Sequence, residues 1–164
     1  MLANLNLRNV FALVCAACVA MLAFGLYLQH VVGLEPCPMC IVQRYALVIV
    51  ALLAAATAFA GKKAALITGA LALLVTSAAG AFVAARQSYL QLYPPEIASC
   101  GRDLYGMIET FPLKRAIPMI FKGSGDCTKI DWTFLGLSIA NWSFLCFVAI
   151  ALVSAVVIFK RLKK

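Results

Sequence analysis

Charge is what this chain has least of. Only 12% of its 164 residues are Asp, Glu, Lys or Arg; six of these are acidic and fourteen basic, and there is a single histidine. Hydrophobic residues make up 65% and the mean hydropathy is +0.99, far from the roughly half-apolar, quarter-charged mix of soluble globular domains. That excludes both disorder and an ordinary water-soluble fold. The length fits one domain and excludes a large multidomain enzyme. A net charge of +8 does not by itself indicate a nucleic-acid partner, because polyanion binding needs Lys and Arg gathered on one wet face. Also missing are internal repeats, low-complexity tracts, a soluble-domain linker, and the short motifs that attach haem or bind a flavin.

What the chain does have is long runs without charge. Residues 10–29 carry none, and as a helix they reach about 30 Å, the thickness of a hydrocarbon core. Residues 45–61 and 64–85 are bounded by charges and free of them inside, and the run from 132 to 159 has slack, which sets its span at about 140–159. The first run is longer than a cleaved signal's apolar region and lacks a convincing small-residue cleavage site, so it reads as a retained anchor. The expected fold is an all-α integral membrane protein, a single domain of four transmembrane helices with loops at about 30–44 and 86–139. Ala51, Ala54, Ala55, Ala58, Gly69, Ala70 and Ala78 allow the second and third helices to approach closely. Trp132 and Trp142 are candidate interfacial anchors. No charged residue within the spans marks a path for ions, which argues against transport.

An even number of crossings puts both termini on one side. Arg8, Lys62, Lys63, Lys160, Arg161, Lys163 and Lys164 lie on that side, and all six acidic residues lie opposite, so the termini are expected to face the cytoplasm. The segment from Arg86 to Asp131 holds Pro94, Pro95, Pro112, Pro118 and Gly123-Ser124-Gly125, which predicts an irregular exoplasmic loop. Within it, the apolar and basic mix from Phe111 to Phe121 suits either a short element flat on the headgroups or simple loop packing.

Seven cysteines divide by this topology. Cys15, Cys18 and Cys146 fall within spans and read as small apolar residues, because a thiolate in hydrocarbon is strongly disfavoured. Cys37, Cys40, Cys100 and Cys127 fall outside, on the side where disulfides are permitted, and allow three pairings. Cys37-Pro38-Met39-Cys40 has the spacing of a small reversible disulfide ring, and a helix starting near Cys40 would favour a thiolate there. Arg44, four residues on, shares that face and would lower the thiol pKa, or else simply snorkels to fix the helix end. Structural disulfides are the alternative for both pairs; zinc is disfavoured with only His30 available. For Cys100 and Cys127 the functional alternative is exchange, in which an incoming thiolate attacks an exposed disulfide. With no redox group signalled in the chain, electrons from such dithiols need an outside acceptor, and a lipid-soluble quinone beside Cys40 and Arg44 suits.

Gln29-His30, Pro36-Cys37-Pro38-Met39-Cys40, Arg44, Gln91-Leu92-Tyr93-Pro94, Ser99-Cys100, Ser124-Gly125-Asp126-Cys127 and Phe134-Leu135-Gly136 together resemble the DsbB family, and the match runs from the first span to the last. The resemblance implies a bacterial inner-membrane four-helix bundle that reoxidises a periplasmic DsbA-like thioredoxin-fold oxidase and passes the electrons to ubiquinone or menaquinone. It implies that Cys37 and Cys40 are the quinone-coupled pair, with Arg44 beside the quinone, and that Cys100 and Cys127 face the partner. The family's best-known member has a histidine near the quinone ring where this chain has Gln87, an amide that donates a hydrogen bond but carries no proton charge. Two other classes share parts of this pattern: a reductase resembling vitamin K epoxide reductase, and a non-enzymatic membrane adaptor braced by two structural disulfides.

Overall fold

The computed structural model describes residues 7–60, 63–94 and 125–163. Their elements in chain order are α1 (Leu7–His30), α2 (Pro38–Ala58), α3 (Lys63–Leu92), a single turn α4 (Gly125–Thr128), the strands β1 (Thr133–Phe134) and β2 (Leu137–Ser138), and α5 (Ile139–Leu162). Four helices are long and apolar enough to cross a membrane. Side chains such as Leu13, Leu52, Val75, Phe82 and Leu152 point outward and are largely exposed, as the lipid-facing surface of an all-α membrane protein requires.

Local chemistry sets the helix ends. α2 begins earlier than residue 45, because Pro38 occupies its first turn and Cys37 caps it, with the Cys37 sulfur accepting from the Cys40 N–H at 3.4 Å. α3 does not stop at Arg86; nothing breaks it before Pro94, so it runs to Leu92 and turns the start of the expected loop into two more turns of helix. Ser138 caps α5 by accepting from the Asn141 N–H at 3.4 Å. Ahead of it, β1 and β2 pair antiparallel, Thr133 with Ser138 and Phe134 with Leu137. The two-residue turn between them has positive φ at Leu135 (52°) and Gly136 (78°), the geometry that matches strand twist; glycine adopts it freely, whereas leucine is strained by about 1 kcal/mol.

α3 packs against both α2 and α5, and α1 packs against α2. The main core contains Phe11, Val50, Ala54, Ala70, Leu73 and Phe147, all fully buried. Of the small residues expected at the α2–α3 seam, Ala51, Ala54, Ala58 and Ala70 are buried while Ala78 faces outward. The tightest approaches lie at two glycines. A Cβ on Gly69 would collide with Thr57 Oγ1, and one on Gly80 would meet the Phe147 ring at 2.5 Å. Phe147 has no room to yield, so Gly80→Ala is expected to destabilise the bundle by about 1–3 kcal/mol, read as a lowered melting temperature in detergent. Hydroxyls inside the bundle bond their own helix, as Ser77 does to Leu73 O (2.6 Å) and Ser154 to Ile150 O (2.9 Å), which satisfies them without water.

Candidate functional site

A second, smaller core lies near one end of the bundle and consists of Cys37, Met39, Val83, Leu90 and Cys127, with Cys40 and Val42 packed on it. The cap position of α2 supplies Cys37 and its first turn supplies Cys40, which brings the two sulfurs to 3.0 Å as thiols. α4 carries Cys127, fully buried, against the same cluster. Hydrogen bonding to Cys127, then to Cys40, and burial, in that order of weight, push the Cys37 pKa upward.

The polar group that serves these sulfurs comes from the added turns of α3. Gln87 Nε2 donates to Cys40 Sγ at 3.2 Å and to Cys37 Sγ at 3.4 Å. Its amide is held in that orientation by Gln43, whose Nε2 donates to Gln87 Oε1 at 2.6 Å. Both glutamines are buried, at 4% and 3% exposure, which favours this bond over one to water. Sequence reasoning singled out Gln87 but missed Gln43. An uncharged amide does not interrupt a charge-free run, and its one signal was a position three residues after Cys40, on the same helix face. Gln43→Leu lets the Gln87 amide rotate and is expected to slow alkylation of Cys40 by iodoacetamide about tenfold, the value of one hydrogen bond to a charged sulfur.

Arg44 also lies on this face but makes its bonds across to α1, donating from Nη2 to Gly25 O at 2.9 Å and from Nη1 to Gln29 Oε1. The donor at the Cys40 sulfur is thus Gln87, and the guanidinium fastens α2 to α1. Arg86 turns away, its Cζ 5.5 Å from the Tyr89 ring centroid.

Cys40, Arg44 and Gln87 line one cavity of about 570 Å³, with Gly25 and Leu28 of α1 and Trp142 and Cys146 of α5 among its walls. Glu35, Lys129 and Asp131 stand at its wet mouth. One side is finished by an aromatic run in which Trp132 meets Phe24 edge-on (5.5 Å) and stacks on Phe134 (6.1 Å), and Trp142 Nε1 donates to Phe134 O at 3.1 Å. Ser138 Oγ donates to Gln91 Oε1 at 2.7 Å, which ties the hairpin to the end of α3. Of the expected site residues, Cys37, Cys40, Cys127 and Gln87 come together and Arg44 shares their cavity; Cys100, like the segment from Phe111 to Phe121, lies outside the described residues. Among the described residues no group of His, Cys, Asp and Glu is arranged to hold a metal ion.

The sequence profile of the family described as "Disulfide bond formation protein DsbB" matches residues 7–157, which reaches into all four spanning helices and takes in every cysteine. The chain belongs to the DsbB family. Proteins called "Disulfide bond formation protein B" share its sequence at high identity: 80% over 151 residues with one from Polaromonas sp. (strain JS666 / ATCC BAA-500), covering 92% of this chain and 90% of the relative. Another from Polaromonas naphthalenivorans (strain CJ2) is 72% identical over the same shares. A third, from Albidiferax ferrireducens, is 65% identical over 157 residues, covering 96% of this chain and 90% of the relative. As a DsbB-family member the protein is a multi-pass membrane disulfide oxidoreductase.

Proposed function

We propose that this chain takes electrons from a periplasmic DsbA-like thioredoxin-fold oxidase and delivers them to quinone in the bacterial inner membrane. The observation that carries this is the junction of Cys37, Cys40 and Cys127 with an apolar cavity that reaches into the bundle. Its volume, about 570 Å³, falls in the class of small-ligand sites, and its apolar walls with a few convergent N–H donors fit a quinone ring. Arg44 would hold a carbonyl oxygen of the ring, and Gln87 would meet the ring with an N–H released from one of the sulfurs. When bound, quinone supplies an acceptor for two electrons and two protons.

The chain's own groups then have distinct tasks. The thiolate of the partner attacks Cys100 of a Cys100–Cys127 disulfide, and Cys127 leaves with the bonding pair. Lying against Cys37, Cys127 is placed to attack that sulfur in a Cys37–Cys40 disulfide, releasing Cys40 as a thiolate toward the cavity. Gln87 donates to both sulfurs and steadies negative charge on whichever bears it. Arg44 keeps positive charge at the cavity wall without claiming the thiolate. The partner's own couple, near −120 mV, can be emptied only by an acceptor more oxidising still, each 30 mV being worth about 1.4 kcal/mol for two electrons. Arg8, Lys160, Arg161 and Lys163 gather at one end of the bundle and Glu35 and Asp131 at the other, which supports cytoplasmic termini.

The test combines purified protein, reduced DsbA and ubiquinone or menaquinone without oxygen, following quinone absorbance and trapped mixed disulfides. One quinone reduced per disulfide formed is the expected result; no thiol oxidation with either quinone would overturn the proposal. A redox titration separates an enzyme from an adaptor, since a mere brace stays oxidised below about −300 mV and an exchanging pair titrates well above it.

A further inference from the structure

The end of the bundle remote from the sulfurs carries a second hollow, of about 310 Å³. Leu7 and Arg8 line it where α1 starts, Ala58 and Phe59 where α2 stops, Leu66 from α3 and Arg161 from α5. Arg8 Cζ lies 5.4 Å from the centroid of the Phe59 ring, a cation–π contact that fixes the guanidinium at the rim while leaving its N–H groups available. Arg161 is half-buried, whereas its neighbours Lys160 and Lys163 are exposed. Among the described residues no carboxylate pairs with either arginine; Glu35 and Asp131 line the cavity at the opposite end. Two guanidinium groups thus line one space with no anion among the described residues to meet them.

Each guanidinium presents a planar fork of donors that matches phosphate oxygens. The remaining walls are apolar, and Phe59, 77% exposed, continues them outward onto the lipid-facing surface. A free anion would answer the arginines and leave the apolar walls wet; a molecule joining a phosphate to hydrocarbon answers both. We propose that this hollow holds the phosphodiester headgroup of an anionic phospholipid, with Arg8 and Arg161 on its oxygens and Phe59 and Leu66 against its glycerol and first methylenes. The bound lipid would link the ends of α1, α2, α3 and α5, where no other ion pair among the described residues does so. Basic hollows between helix ends at a membrane face are suited to such headgroups.

The experiment is native mass spectrometry of the full chain released from micelles containing equal phosphatidylglycerol and phosphatidylcholine. The wild type is expected to retain phosphatidylglycerol over phosphatidylcholine by about tenfold or more. R8Q/R161Q should bring the two near parity, while K160Q/K163Q, which removes the same charge outside the hollow, should keep the preference. Disulfide-generating activity of R8Q/R161Q in phosphatidylcholine reports whether its bundle is intact; should it fail to fold, the wild type and K160Q/K163Q decide alone. Equal retention of both lipids by the wild type would overturn the proposal, as would an equal loss in K160Q/K163Q, which would trace the preference to net charge. Full displacement of the retained lipid by inorganic phosphate would overturn it too, by showing a site for the free anion.

Discussion

Cys40→Ser is expected to lower quinone-dependent thiol oxidation at least a thousandfold, about 4 kcal/mol or more in transition-state terms. The size follows from placement. Cys37 and Cys40 both border the cavity, and Cys40, 3.0 Å from Cys37, is the one that lies within α2, on the helix face it shares with Arg44 of the cavity wall, so it is the sulfur set deeper toward the space inside the bundle. A serine hydroxyl has nearly the same shape but cannot form a disulfide. The rest of the cluster should survive: Gln87 can still donate to the substituted atom and Met39 stays packed. The checking measurement is anaerobic turnover with quinone and reduced DsbA, beside a melting curve that should move little. The trapped species is informative as well, since Cys37 without Cys40 to resolve it should accumulate as a mixed disulfide with Cys127 or the partner. Residual turnover above one per cent of wild type would show that electrons leave by another sulfur.

Arg44→Met is expected to raise the KM for quinone by about ten- to a hundredfold while changing the rate of thiol exchange much less. Two bonds vanish together, one to Gly25 O at 2.9 Å and one to Gln29 Oε1, and charge-assisted hydrogen bonds are each worth about 1.5–3 kcal/mol. Methionine preserves the bulk and apolar stem, so the cavity does not collapse for want of volume. What is lost is the fastening between α1 and α2 and the positive charge on the cavity wall. Because Arg44 makes no bond to either sulfur, exchange of Cys37 and Cys40 with a small dithiol should remain within a few-fold of wild type. An unchanged KM would remove Arg44 from the quinone site and leave it a purely structural tie. Gly25→Ala is the milder companion: its Cβ would sit 3.5 Å from Arg44 Nε, an ordinary contact that should leave the guanidinium in place.

The spanning helices were legible because a bilayer forbids charge, and long charge-free runs report that constraint directly. The same rule misplaced the helix ends that matter most. Arg86 closes the third run, yet the helix ignores it and continues to Leu92, since at the membrane surface a charge no longer stops a helix and only Pro94 does. Gln87 and Gln91 owe their positions to that continuation. Pro38 likewise opens α2 with Cys37 as its cap, and that capping geometry sets the two sulfurs side by side. The hairpin escaped notice because Leu135-Gly136 lacks the usual asparagine or aspartate. That Cys127 would meet Cys37 was beyond local patterns, as a separation of ninety positions leaves no periodic trace of a contact. Gln43 was hidden for the opposite reason, being close in sequence to Cys40 but chemically quiet.

Gln87 brings a final consequence for the conditions in which the protein can work. Neither it nor Gln43 has a proton to gain or lose across the range in which imidazole switches state. The donor facing the sulfurs keeps the same strength in acid and neutral surroundings, so an inflection in activity over that range would originate in groups other than this amide pair. In surroundings whose acidity drifts, the protein would thereby retain one fixed setting in an otherwise pH-sensitive exchange.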